Sequence, residues 1–129
     1  SKSESLVTLW GTGRPRREFL YSDDLADACL FLLGLGEREL GRFLEAPCPP
    51  LINVGSGFDL SIADLASLVA KVVGYQGHFD WDTSKPDGTQ RKLLDVSVLK
   101  DLGWRPSIEL EQGIRLAYGD YLSRAQNPA

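Results

Sequence analysis

The chain reads as short apolar runs separated by turns that glycine and proline mark. Leu6-Val7-Thr8-Leu9-Trp10 is a β-prone run closed by Gly11-Thr12-Gly13, which predicts a strand and a tight turn. Arg14-Pro15-Arg16 reads as loop, because proline removes a donor and turns the residue before it away from helix. Glu18-Phe19-Leu20-Tyr21 reads as a second strand, and Ser22-Asp23-Asp24 as a helix start, with a short polar cap and carboxylates at the positive end of the dipole. That helix carries Leu25, Ala28, Cys29, Leu32 and Leu33 at the spacing of one buried face and stops near Gly34-Leu35-Gly36. Residues 37–50, with Pro47, Pro49 and Pro50, read as a loop with one extra helical turn.

The second half repeats the alternation. Leu51-Ile52-Asn53-Val54 before Gly55-Ser56-Gly57 predicts a buried strand and a turn. Ser61 and Asp64 form a variant capping box, opening a helix with Ile62, Leu65, Ala66, Val69, Val72 and Val73 on one face and Gly74 as its stop. His78-Phe79-Asp80-Trp81-Asp82 alternates as a strand, residues 83–92 form a loop, and Val96–Leu102 a short helix ended by Gly103. The last amphipathic helix is expected from Ile108 to about Arg124. Disorder is expected at 1–5 and in a flexible tail at 125–129. Strands alternate with helices, so the class is α/β. Four short strands are too few for a doubly wound sheet, and open sheet edges leave room for self-association.

Composition narrows the function. A chain of 129 residues with 43% hydrophobic and 25% charged residues is an ordinary globular domain. Its net charge of -4 speaks against nucleic-acid binding, which needs a broad basic face. No apolar run approaches the roughly 20 residues of a membrane span, and the N-terminus lacks a signal-peptide pattern, so a cytoplasmic protein is expected. Cys29 and Cys48 form no C-x-x-C pair and fit unpaired thiols in a reducing compartment; with the single His78 they complete no metal site.

Against that acidic balance, six of the 14 basic residues fall in two turn-forming stretches: Arg14, Arg16 and Arg17, and Lys85, Arg91 and Lys92. Two basic loops in an acidic protein point to a compact anion between them, a phosphate or pyrophosphate. Arg17, at the end of a Gly-Pro loop, reads as either a surface ion pair or a bidentate phosphate ligand, with the second favoured. Pro86-Asp87-Gly88 is a turn signal, and the basic pair beyond it offers a second anion contact. Trp10 reads as core packing or as a flat wall for a sugar or base. Asp23 and Asp24 read as a helix cap, and Asn53 as a donor to backbone. Gly55-Ser56-Gly57 lacks the third glycine of a dinucleotide motif and reads as a strand-to-helix turn. No tyrosine has a lysine four residues on, so no Tyr-x-x-x-Lys acid/base pair is present.

Four segments resemble the GDP-L-fucose synthases, which are extended short-chain dehydrogenase/reductases. They are Trp10-Gly11-Thr12-Gly13 through Arg17-Glu18-Phe19-Leu20 with Asp23-Asp24; Ile52-Asn53-Val54-Gly55-Ser56-Gly57; Ala70-Lys71-Val72-Val73-Gly74-Tyr75; and Lys85-Pro86-Asp87-Gly88-Thr89 with Arg91-Lys92-Leu93-Leu94-Asp95. The last is the most specific to these synthases. The resemblance implies the C-terminal substrate-binding lobe of such an enzyme, over 6–124, with residues 51–54 joining a Rossmann sheet whose N-terminal core is not in this chain.

The parent reaction it implies is conversion of GDP-4-keto-6-deoxy-mannose to GDP-L-fucose by two epimerisations and an NADPH reduction. The catalytic residues and the NADP-binding glycines of that family lie upstream of the matched region, so the resemblance implies no catalytic residue here and no cofactor bound by this chain alone. It carries over a GDP-sugar side of the cleft: Trp10 beside the substrate, Arg17 on the pyrophosphate and Lys92 on the same phosphates, with Arg91 beside Lys92. His78 stands where some relatives carry a nucleotide-holding arginine. The implied partner is the upstream Rossmann portion. The other readings are another nucleotide-sugar epimerase or dehydratase of the same superfamily, and a non-enzymatic interaction module.

Overall fold

The computed structural model describes residues 6–44 and 51–126. The expectations for 1–5, for Cys48 and the prolines around it, and for 127–129 lie outside the described residues. In chain order the elements are β1 (Leu6–Trp10), β2 (Arg16–Glu18), α1 (Ser22–Leu33), α2 (Glu37–Leu44), β3 (Asp59–Ser61), α3 (Ile62–Val73), β4 (His78–Asp82), β5 (Arg91–Lys92), α4 (Ser97–Asp101) and α5 (Leu110–Gln126). They fall into two units. One holds the residues up to Arg17, Asp59–Lys92 and those from Glu109 on; the other holds Glu18–Phe58 and Leu93–Ile108.

In the first unit, β1 and β4 form a parallel pair with Leu6 opposite His78 and Trp10 opposite Asp82. A second sheet has the order β3-β2-β5, with β2 and β5 parallel and Arg16 opposite Arg91, Arg17 opposite Lys92. α3 starts where the Ser61 hydroxyl accepts the Asp64 amide at 3.0 Å and donates to its carboxylate at 2.6 Å. It ends at Gly74, whose φ of +71° is the left-handed conformation that releases a helix. Ile62, Leu65, Val69 and Val73 line one side of an open apolar groove of about 390 Å³, and Val7 and Leu9 of β1 line the other. Lys71 bonds Glu111 at 2.8 Å, tying α3 to α5 at the surface.

In the second unit, Ala28, Leu99 and Trp104 are buried together, with Leu20, Phe31, Leu32, Ile52 and Val54 packed around them. The inward face of α1 is therefore Asp24, Ala28, Phe31 and Leu32. Leu25 and Cys29 of the expected face are exposed, and Leu33 is 83% exposed, because the small Ala28 sets where the helix approaches its neighbours. The helix has no side-chain cap: Tyr21 occupies the cap position, and Asp24 instead accepts from the Ser107 amide at 3.0 Å, the Ser107 hydroxyl at 2.8 Å and the Ile108 amide at 3.0 Å. Burial works against the charge of Asp24, but these three donors outweigh it and hold the pKa below its ordinary value. The Trp104 indole donates to Asp27 at 2.8 Å.

Several expected elements are corrected. The strand expected at 18–21 is β2, shifted to Arg16–Glu18, because its ladder partner is the basic pair of β5 rather than an apolar run. Residues 51–54 form no strand; Ile52 and Val54 pack on the core, and the Asn53 amide donates to the Asp95 carbonyl at 3.1 Å. β3 and β5 are strands that the pattern did not announce, being three and two residues long without alternation. α2 is two turns rather than one, α4 starts at Ser97, and α5 runs from Leu110 to Gln126, so Ala125 and Gln126 are helical and not tail.

Candidate functional site

The first unit gathers the basic segments around the Gly11–Gly13 bend. Gly11 and Gly13 have φ of +80° and +72°, which lets the chain fold back directly after Trp10. The bend leaves no room for side chains: a Cβ on Gly11 would run into the Asp87 carboxylate, and one on Gly13 would lie 2.6 Å from the Trp81 ring. Asp87 acts as a fastener rather than a turn former. One carboxylate oxygen accepts the Thr12 amide at 2.7 Å and the other accepts the Thr12 hydroxyl at 2.7 Å, joining the Trp10–Gly13 bend to the Pro86-Asp87-Gly88 segment 75 residues away, which forms no turn in the structure. The Thr12 hydroxyl, then its amide, and the nearby Arg14 charge hold Asp87 below its ordinary pKa despite partial desolvation.

Between these two segments runs a groove of about 110 Å³, lined by Trp10, Gly13, Arg17, Ile62, Asp87 and Gly88 among others. Sites for drug-sized ligands occupy roughly 300–1,000 Å³, so this groove encloses only part of such a ligand. The Arg17 guanidinium is anchored by Nη1, which donates to the Arg16 carbonyl at 2.7 Å and the Thr89 carbonyl at 2.6 Å. Nη2 lies beside Gly88, 3.2 Å from where a Cβ would stand. Two anchoring bonds fix the guanidinium through Nη1, leaving Nη2 and Nε to donate. The Lys85 ammonium sits 5.7 Å from the centre of the Trp10 ring, and Trp10 is 73% exposed.

Register decides which of the expected residues come together. Residues directly opposite in a ladder project from the same face, and successive residues alternate. Arg17 and Lys92 are opposite one another and share a face. Arg16 and Arg91 share the other, where both meet Asp59: Arg16 Nε donates to Oδ1 at 2.9 Å and Arg91 Nε donates to Oδ2. Arg91 is therefore committed to a carboxylate on the face away from Arg17, and the structure does not bring it to the groove. The Asp59 side chain is 5% exposed. The Arg91 hydrogen bond, with Arg16 adding to it, outweighs desolvation and lowers its pKa. His78 lies at the start of β4, while Asp82, four residues on, is the partner of Trp10. At the rise of a parallel strand that is about 13 Å away, so His78 and Trp10 stand at opposite ends of the ladder.

Sequence reasoning missed Asp59, Asp87 and Thr12. Asp59 carries no local signal, since its partners lie 43 and 32 residues away in sequence. Asp87 was hidden inside a turn motif that explains an aspartate without a partner.

In the second unit, the turn at Gly55-Ser56-Gly57 is occupied by Glu18. Its carboxylate accepts the Gly57 amide, the Ser56 hydroxyl at 3.3 Å and the Leu94 amide at 3.0 Å, and it fills the space above Gly55. The amide that would face a dinucleotide pyrophosphate is thus already donated to a carboxylate. Among the described residues no cluster of three or more His, Cys, Asp or Glu could hold a metal ion, and no helix is long and apolar enough to cross a membrane.

Comparison with known proteins bears on this geometry. Residues 2–44 match the model of the NAD dependent epimerase/dehydratase family. The chain is 50% identical to GDP-L-fucose synthase 1 of Arabidopsis thaliana over 121 residues, which are 94% of this chain and 34% of that protein. A GDP-6-OMe-4-keto-L-xylo-heptose reductase from C. jejuni superposes with a TM-score of 0.83 at 38% identity, over 95% of this chain and 35% of its own. A GDP-mannoheptose C4 reductase from Campylobacter jejuni, solved with NADP bound, does so with a TM-score of 0.77 at 38% identity, over 93% and 36%. The chain spans about a third of the length of the relatives it matches. Along nearly its whole length, then, this chain is similar to one third of a GDP-L-fucose synthase, and it has the fold of that part of an extended short-chain dehydrogenase/reductase.

Proposed function

We propose that this chain is the C-terminal, GDP-sugar-binding portion of an NADPH-dependent GDP-4-keto-6-deoxy-mannose 3,5-epimerase/4-reductase. The observation that carries the reading is the in-register pairing of Arg17 and Lys92 on one face of β2 and β5. Two cations side by side suit a pyrophosphate, whose charges are spread over adjacent phosphoryl groups. The Arg17 fork gives direction, the Lys92 ammonium gives charge, and Trp10 offers a flat apolar wall at the mouth of the groove.

The glycine turn at Gly55-Ser56-Gly57 does not suit NADPH, since Glu18 closes it. Binding groups without proton-transfer residues do not lower a barrier, so the chain by itself is inactive and serves to hold and orient the sugar nucleotide for chemistry supplied by the rest of the parent enzyme. Its compartment is the cytosol, in keeping with the free thiol of Cys29.

Titration calorimetry with GDP tests this reading. Wild type binds, and Arg17→Ala weakens binding about 10- to 100-fold, the range for one hydrogen bond to a charged group. Equal heats for both proteins indicate an interaction module instead. UDP binding as tightly as GDP indicates a different nucleotide-sugar enzyme. NADPH oxidation by the purified chain with the keto-sugar would refute inactivity.

A further inference from the structure

The anion site depends on β5, and β5 is only two residues long. Its ladder is correspondingly thin: the Arg16 amide donates to the Gln90 carbonyl at 2.8 Å, and the Arg17 guanidinium reaches the Thr89 carbonyl at 2.6 Å. Register here has a functional consequence. A slip of one residue would turn Lys92 away from Arg17 and bring Arg91 round in its place, because side-chain direction alternates along a strand. Charge also works against the pairing. Arg16, Arg17, Arg91 and Lys92 are four cations in two adjacent cross-strand pairs, and like charges directly opposite are destabilising.

One side chain answers both problems. Asp59 lies on β3, at the far side of β2 from β5. Its carboxylate accepts Arg16 of the central strand on one oxygen and Arg91 of the opposite edge on the other, while its own carbonyl accepts the Arg16 Nη2 at 2.8 Å. A single, nearly inaccessible carboxylate thus ties three strands together across one face of the sheet. We propose that Asp59 is a positioning residue for the anion site, acting through Arg91 to keep Lys92 in register beside Arg17. This rests on the reading of Arg17 and Lys92 as a pyrophosphate site. Asp59 itself touches no ligand; it lies on the face opposite the one where the anion binds.

The sign of the effect separates positioning from simple electrostatics. Asp59→Asn removes a negative charge near an anion site, so through-space attraction alone would tighten GDP binding. Loss of register weakens it. Calorimetry with GDP and with inorganic pyrophosphate is run on wild type, Asp59→Asn, Lys92→Ala, Arg17→Ala and the doubles of Asp59→Asn with each. The expected result is a loss of about 10-fold in Asp59→Asn, no further loss when it is added to Lys92→Ala, and an undiminished loss when it is added to Arg17→Ala, the pattern of a residue acting through Lys92. A merely structural role would cost the same in both backgrounds. Arg91→Gln, at an exposed side chain and leaving Asp59 bonded to Arg16, reproduces the loss and its coupling to Lys92, and it keeps the test intact if Asp59→Asn does not fold. Wild-type or tighter binding in Asp59→Asn, or a full loss in the Lys92→Ala background, overturns the proposal. Unchanged binding in both Arg17→Ala and Lys92→Ala instead overturns the site itself, and the positioning role falls with it.

Discussion

Replacing Asp24 by alanine tests how the second unit is held. The side chain is 3% exposed and accepts three hydrogen bonds, from the Ser107 amide, the Ser107 hydroxyl and the Ile108 amide. Ser107 is itself exposed, so its hydroxyl can turn to water at little cost, whereas the half-buried Ile108 amide has no ready substitute. Each hydrogen bond to a charged group contributes about 1.5–3 kcal/mol net. Counting one such bond in full and part of a second, and allowing for relief of carboxylate desolvation, the expected loss is about 3 kcal/mol. For a chain of 129 residues that is a fall in Tm of about 10 °C. Asp24→Asn keeps one acceptor oxygen for Ser107 but sets an amide donor against the Ile108 N–H, so about half the loss is expected.

The pH dependence has a definite sign. The folded pKa lies below the ordinary carboxylate value, so the stabilisation by Asp24 is present in full above that ordinary value and is lost as pH falls through the lower, folded one. The assay is urea unfolding of wild type and variant by circular dichroism, at pH 7 and at steps down to pH 2.5. The gap between the two proteins is constant from pH 7 to about pH 5 and narrows below pH 4. A loss under 0.5 kcal/mol at neutral pH, on the order of an ordinary surface substitution, refutes the account of Asp24 as the strap between α1 and the Ser107–Ile108 turn. A gap that does not narrow in acid refutes the assignment of the effect to its charge.

Two further outcomes follow from packing and backbone geometry. Leu99 is 1% exposed at the centre of the second unit's core, so Leu99→Ala destabilises by about 3 kcal/mol through lost transfer energy and the cavity left behind, read from the same unfolding curves. Gly74 and Gly11 share a positive φ but differ in space: a Cβ at Gly74 meets nothing within 4 Å, while one at Gly11 meets Asp87. Gly74→Ala therefore costs about 1 kcal/mol, and Gly11→Ala costs more and also breaks the Thr12–Asp87 bridge, seen as weaker GDP binding only in the Gly11 variant.

Much of the local structure is legible from single stretches of chain. α3 announces itself through Ser61, Asp64 and Gly74, since caps and stops act over three or four residues. β1 follows from a five-residue β-prone run and β4 from apolar–polar alternation. The site is legible only in part. Arg17 and Lys92 stand out as basic residues in turn-forming sequence. Arg91 stands out equally, and nothing nearby in sequence tells it from Lys92. The strand expected at 51–54 misleads for a related reason: an apolar run of four signals burial, and Ile52 and Val54 find it on helix and tryptophan side chains instead of in a ladder.

The amino-acid sequence by itself determined the α/β class, the capped helix at 62–73, the glycine bend at 11–13, and the presence of two basic segments in an acidic chain. These depend on backbone preference and on spacing within a few residues, and such forces act before the chain is folded. Only the tertiary structure decided which cations share a face, that Asp59 bridges Arg16 and Arg91, that Asp87 fastens Thr12, and that Glu18 closes the glycine turn. Each of those carboxylates meets partners that are 32 to 76 residues distant. The pleat of a two-residue strand turns that pairing into a direction for Lys92, and no periodicity along the chain encodes it.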